Sequence, residues 1–62
     1  MKFDYDPKVD ALYVRLNEAD IAESEEVQPG IILDFDASGT VVGVEVLRAS
    51  QRAAPEPIRQ AA

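Results

Sequence analysis

Ile31-Ile32-Leu33-Asp34-Phe35-Asp36-Ala37-Ser38-Gly39-Thr40-Val41-Val42-Gly43-Val44-Glu45-Val46-Leu47 decides the fold. Two runs rich in β-branched and aromatic residues flank Asp36-Ala37-Ser38-Gly39, which suits a type I turn closed by a glycine bulge with Gly39 at positive φ. The segment 31–47 therefore reads as a β-hairpin. With Asp36 opposite Thr40, a regular ladder sets Phe35 against Val41, Leu33 against Gly43 and Ile32 against Val44. One face would then carry Ile32, Asp34, Val42, Val44 and Val46. The other would carry Ile31, Leu33, Phe35, Val41, Gly43, Glu45 and Leu47. Both faces come out largely apolar, which calls for a cover on each side.

Upstream, Lys2-Phe3-Asp4-Tyr5-Asp6 alternates polar and aromatic residues, and Ala11 to Leu16 alternates again with Leu12, Val14 and Leu16 on one face. Asp6-Pro7-Lys8-Val9-Asp10 between them is turn material, so residues 2–16 form a second hairpin. Residues 17–28 are acidic, with Ile21 and Val27 the large apolar side chains, and read as a solvated loop with a charged edge strand. Downstream, Leu47 to Ala54 are fair to good helix formers that stop at Pro55, giving about two turns that need packing to persist. The expectation is an α+β fold: a small antiparallel sheet of four to five strands with one short C-terminal helix covering a face. The domain spans 1–54, and 55–62 is a flexible Pro-containing tail.

The whole chain has 62 residues, 6 basic and 12 acidic side chains, a net charge of -6, and neither cysteine nor histidine. That excludes a disulfide scaffold, a Cys/His zinc site and every histidine-activated nucleophile. Ser24, Ser38 and Ser50 thus have no activating base, and Lys2 and Lys8 sit in polar surroundings. No apolar run reaches the length of a membrane span, and the opening residues are not a secretory signal, so a cytoplasmic location is expected. Clustered Lys and Arg for a phosphate backbone are lacking, and Phe3, Tyr5, Tyr13 and Phe35 read as core, not as a base-stacking platform. Neither nucleic acid nor a membrane is expected as a partner. Charge is uneven: residues 1–47 carry 3 basic and 11 acidic groups, whereas Arg48, Arg52 and Arg59 outweigh Glu56 in the remainder.

Folding such a chain as a compact monomer removes roughly 3,500 Å² of apolar surface from water, on the order of 90 kcal/mol. Ordering its residues costs about 1.5 kcal/mol each, nearly the same total. The two terms cancel, and a homo-oligomer or a partner protein would supply further burial, so homo-oligomerisation is the first expectation. Ile32, Val42, Val44 and Val46, with Arg48 and Arg52, are the candidate interface residues.

Residues 34–45 also fit the spacing of a calcium loop, with Asp34, Asp36 and Ser38 at positions 1, 3 and 5, Gly39 at 6 and Glu45 at 12. These are weak metal candidates, because Pro29-Gly30 leaves no room for an entering helix and the flanks are strand material. No cofactor is expected. Asp34 and Glu45 interrupt apolar runs, point to opposite faces in the regular register, and need partners if buried, with Arg15, Arg48, Arg52 and backbone amides at the helix start the candidates. No spacing singles out a catalytic pair of carboxylates, so an enzyme is not expected.

Two stretches together carry a resemblance. Tyr5-Asp6-Pro7-Lys8-Val9-Asp10-Ala11-Leu12-Tyr13-Val14-Arg15-Leu16 resembles the opening of a small, mainly bacterial family, domain of unknown function 2283. Glu26-Val27, Pro29-Gly30-Ile31-Ile32-Leu33-Asp34-Phe35-Asp36, Gly39, Val42-Gly43-Val44-Glu45-Val46-Leu47 and Ala49-Ser50 are similar to its second half. No activity or catalytic residues are established for that family, so the resemblance carries none over. It implies stand-alone cytosolic proteins, some encoded beside small toxin-like proteins, and hence an antitoxin-like, non-catalytic interaction module binding a small basic protein. A self-contained homo-oligomer is the alternative, and a calcium or metal protein the third reading.

Overall fold

In a computed structural model, which describes residues 1–52, the two expected hairpins merge into one sheet. The strands are β1 (Lys2–Asp6), β2 (Ala11–Arg15), β3 (Glu23–Gln28), β4 (Ile31–Phe35) and β5 (Val41–Leu47), followed by α1 (Ala49–Arg52). All pairings are antiparallel and the spatial order is β1-β2-β5-β4-β3. The acidic segment thus supplies an edge strand, β3, and the first strand supplies the other edge. Residues 16–22 carry the chain from β2 past two strands to β3. Arg15 ties this connection down, its Nε donating to the Asn17 carbonyl at 2.8 Å and its Nη2 to that of Ala19.

The 36–39 turn forms as its residues dictate. Asp36 N–H donates to the Thr40 carbonyl at 2.9 Å, Gly39 N–H to the Asp36 carbonyl at 3.0 Å, and Gly39 takes φ 87°. Asp36 Oδ1 accepts from the amides of Ser38 and Thr40 and from the Ser38 hydroxyl.

Beyond the turn the regular ladder fails after one pair. Phe35 lies opposite Val41, but Asp34 lies opposite Gly43, Leu33 opposite Val44 and Ile32 opposite Glu45. The extra residue is a β-bulge at Val41-Val42, and a one-residue shift exchanges the faces of everything beyond it. Two expectations are corrected. Ile32 does not share a face with Val44 and Val46, and Asp34 and Glu45 lie on the same face. The sheet is consequently two-sided: Ile31, Leu33, Phe35, Val44 and Val46 point one way, and Ile32, Asp34, Gly43 and Glu45 the other.

The helix is also placed differently from expectation. Ala49 N–H donates to the Asp10 carbonyl at 2.9 Å and Ser50 N–H to Asp10 Oδ1 at 3.0 Å, which fixes α1 beside the β1–β2 turn at one end of the sheet. None of its residues is buried, so it covers neither face. Arg48, at φ 52°, makes the sharp entry. The expected last helical residues, Ala53 and Ala54, and the tail 55–62 lie outside the described residues. No helix among the described residues is long and apolar enough to cross a membrane.

Candidate functional site

Strand alternation and the observed registers assign each side chain to a face. On the polar face, Tyr13 of β2 lies opposite Glu45 of β5, and Arg15 opposite Gly43. Because Gly43 has no side chain, the Tyr13 ring crosses β5 and its hydroxyl donates to Asp34 Oδ2 on β4 at 2.7 Å. A Cβ at Gly43 would stand 2.4 Å from that hydroxyl oxygen and 3.0 Å from Asp34 Oδ2. The Ser24 hydroxyl of β3 donates to Asp34 Oδ1 at 2.6 Å, and Arg15 Nη1 donates to the Tyr13 oxygen at 3.3 Å. Four side chains from β2, β4 and β3 therefore form one hydrogen-bonded row across β5. Asp34 is 8% exposed, the one buried polar residue among those described, and both its oxygens are engaged. Every buried side-chain nitrogen or oxygen among the described residues has a partner.

In place of the arginine or backbone-amide partners expected for Asp34 stand two hydroxyls, with Arg15 one step behind. Tyr13 and Ser24 escape sequence reading because they reach Asp34 only once the bulge has moved Gly43 between them. The signal was the polarity pattern itself: Gly43 and Glu45 match Asp34 only in the shifted register.

The calcium-loop residues are dispersed by the same geometry. Asp34 faces Tyr13 and Ser24 in mid-strand, Asp36 and Ser38 bond each other inside the turn, and Glu45 lies between Tyr13 and Ile32. Strands occupy the places of the two helices an EF-hand requires. Among the described residues, no three acidic side chains are placed to hold a metal ion.

Among the described residues, the opposite face is apolar and open. Leu12 and Val14 of β2 lie opposite Val46 and Val44, and Phe3 and Tyr5 of β1 lie opposite Val14 and Leu12. Leu16 N–H donates to the Val42 carbonyl at 2.8 Å, continuing the β2–β5 ladder and setting Val42 on this face. Val42 alone among the described apolar side chains is wholly buried, whereas Phe3 is 68% exposed, Tyr5 47% and Leu16 42%. Of the candidate interface residues, Val42, Val44 and Val46 belong to this face and Ile32 to the polar one. Arg48 and Arg52 stand at the end of the sheet, where Arg52 Nε donates to the Leu47 carbonyl at 2.8 Å and Nη2 to that of Pro29. An open cavity of about 420 Å³ lies there between the Pro29-Gly30 turn and Arg48.

At the same end, Asp10 joins the first hairpin to the helix. Its Oδ1 accepts from the Tyr5 hydroxyl at 2.6 Å and its Oδ2 from the Ser50 hydroxyl at 2.8 Å. The Tyr5 bond first, then the two from Ser50, hold the Asp10 carboxyl below its ordinary pKa. The same bond, with smaller contributions from burial and from the charges of Asp10 and Asp6, pushes the Tyr5 phenol upward. Asp36 is held low by the Ser38 hydroxyl and then by the Thr40 amide.

Comparison with known families gives a match over residues 2–50 to a family described as a protein of unknown function, DUF2283. No match to a curated protein or to a solved structure was found.

Proposed function

The chain belongs to DUF2283, a family without an assigned activity, and on that footing we propose that it is a non-catalytic protein-interaction module whose binding surface is the open apolar sheet face. One observation carries this reading. Among the described residues, a five-stranded sheet forms a single layer with one wholly buried apolar side chain, Val42, while Phe3, Tyr5 and Leu16 of the same face stand in water. Stable domains close such a face with a second layer. Among the described residues α1 sits at the sheet end and buries none of its residues; we take the second layer to be another chain, and the balance of burial against chain entropy favours a second copy.

Light scattering on the purified chain tests the proposal. The expected result is an assembly of whole protomers that loses half its mass in Val44→Asp, which places a charge at the centre of the face. A wild-type monomer, or a folded Val44→Asp of unchanged mass, overturns it.

A second reading, the antitoxin-like one, is supported by charge. Glu23 and Glu25 project to the apolar face at its β3 rim, and the connection that precedes β3 adds the exposed Glu18 and Asp20 to the acidic stretch in sequence. A small basic protein would dock along this rim, with affinity that falls steeply as salt rises. Glu23→Lys with Glu25→Lys should abolish such binding and leave self-association intact. Unchanged binding to a defined basic toxin-like protein would remove this reading.

A further inference from the structure

The two edges of the sheet are built differently. β3 is guarded by Glu23, Glu25 and Glu26 and broken by an irregularity between Glu26 and Gln28, both of which discourage another strand from pairing. β1 also carries charges, Lys2, Asp4 and Asp6, but they are of both signs, so a second antiparallel copy can pair them instead of being repelled. The strand pairs with β2 in unbroken register, contains no proline, and all five of its residues are exposed. We propose that β1 pairs antiparallel with β1 of a second copy, Phe3 opposite Phe3, so that two five-stranded sheets become one of ten strands.

Hydrogen-bond phase makes this edge available. Leu16 donates its N–H to β5, so even-numbered residues of β2 turn their backbone groups to β5, and Ala11, Tyr13 and Arg15 turn theirs to β1. Their partners Asp6, Asp4 and Lys2 are then the bonded residues of β1. Phe3 and Tyr5 are left with N–H and C=O groups directed outward, the pattern a further antiparallel strand requires.

Charge selects the register. Facing residues must share a side of the continuous sheet, so the shift between copies comes in steps of two residues. Phe3 opposite Phe3 sets each Lys2 against Asp4 of the other copy, two opposite-charge pairs on the polar side. Moving one step keeps two opposite-charge pairs, Lys2 with Asp6, but adds Asp4 against Asp4 between them; moving two sets Asp4 against Asp6 twice, and one step the other way sets Lys2 against Lys2. In the chosen register the exposed Phe3 rings meet on the apolar side, at the centre of the joined sheet.

This inference deepens the self-association reading and uses a different surface. The apolar face of one chain measures roughly 24 by 17 Å from strand spacing and length, small for a stable interface. Edge pairing doubles it, and two ten-stranded layers packed face to face close as a tetramer with three perpendicular two-fold axes.

Light scattering on five variants tests the edge separately from the face, with far-UV circular dichroism confirming the fold of each. The wild type is expected to contain four chains. Lys2→Asp and Asp4→Lys should each give two chains, because each sets like charges opposite in the chosen register. The double variant Lys2→Asp/Asp4→Lys should return to four, since the pairs are restored in reverse. Val44→Asp, which opens the face, should give two chains that Lys2→Asp reduces to one. Wild-type mass in both single variants overturns edge pairing, as does a folded double variant that stays at two chains. If Val44→Asp keeps four chains while Lys2→Asp gives two, the face reading fails and the edge stands.

Discussion

Tyr13 and Asp34 belong to strands that are not neighbours in the sheet, yet the hydroxyl of one bonds the carboxylate of the other at 2.7 Å, over the bare backbone of Gly43. Three residues on three strands thereby depend on one another: the tyrosine spans, the aspartate accepts, and the glycine stays out of the way. The register shift at Val41-Val42 brings them onto one line.

Gly43→Ala should therefore act through the tyrosine. The new methyl collides with the Tyr13 hydroxyl, and breaking that bond while leaving a buried carboxylate oxygen without a donor costs about 1–3 kcal/mol. Tyr13→Phe should cost a similar amount. The double variant should cost clearly less than the sum, because the hydroxyl that the methyl strikes is gone. Urea unfolding of the three variants measures the coupling, and strict additivity would show that the tyrosine is not what excludes a side chain at position 43.

Asp10 makes stability depend on pH at the acid end. Its pKa is lowered on folding by Tyr5 and Ser50, so the unfolded chain binds the proton more readily. The contribution is complete above the ordinary carboxylate pKa of about 3.9 and is lost as pH falls through the folded value. Asp36 acts in the same direction. Tyr5 has the opposite sign and range: its raised pKa adds stability below about pH 10 that disappears as pH rises further. Thermal melts from pH 2 to 6 should fall less steeply for Asp10→Asn than for the wild type, and an identical slope would show that the clamp carries no proton linkage.

Gly30 and Gly39 share a positive φ but not an environment. A Cβ at Gly39 meets nothing within 4 Å, so Gly39→Ala should cost only its left-handed strain, about 1–2 kcal/mol. At Gly30 a Cβ would stand 2.3 Å from Arg52 Nη2 and 3.2 Å from Arg48 Nη2. Gly30→Ala should add to the same strain the loss of the Arg52 bond to the Pro29 carbonyl. Denaturation midpoints should rank wild type above Gly39→Ala above Gly30→Ala, and the reverse order of the two alanines would contradict the packing of Arg52 on that turn.

The strands, the Asp36–Gly39 turn and the acidic edge were legible because alternation and turn chemistry are local. The bulge was not, since the doubled residue is valine next to valine and either can be the extra one. Its consequences were written in polarity, as Gly43 and Glu45 sort with Asp34 only after the shift, but a regular ladder is the default until that conflict is weighed. The helix was misplaced for another reason. Composition marks residues 47–54 as helical without saying where they dock, and docking depends on Asp10, about 40 residues away in the chain. The candidate site was hidden likewise: Tyr13 reads as an ordinary strand aromatic until Gly43 is seen to lie between it and Asp34.

The strand order has a kinetic side. β1 with β2, and β3 with β4 and β5, are each built from neighbours in sequence, and the pairing of β2 with β5 is the single seam joining these halves. Its partners lie roughly 30 residues apart, so closing it demands the largest loss of chain freedom of any pairing in the sheet. The halves should zip first and meet last, and the seam should part first when the fold breathes. The bonds of Tyr13 to Asp34 and of Asp10 to Ser50 both cross it, one rivet on the polar side and one at the sheet end. Amide exchange should accordingly be faster at Leu12, Val14 and Leu16 than within the β4–β5 ladder, and faster again in Tyr13→Phe, where one rivet is drawn.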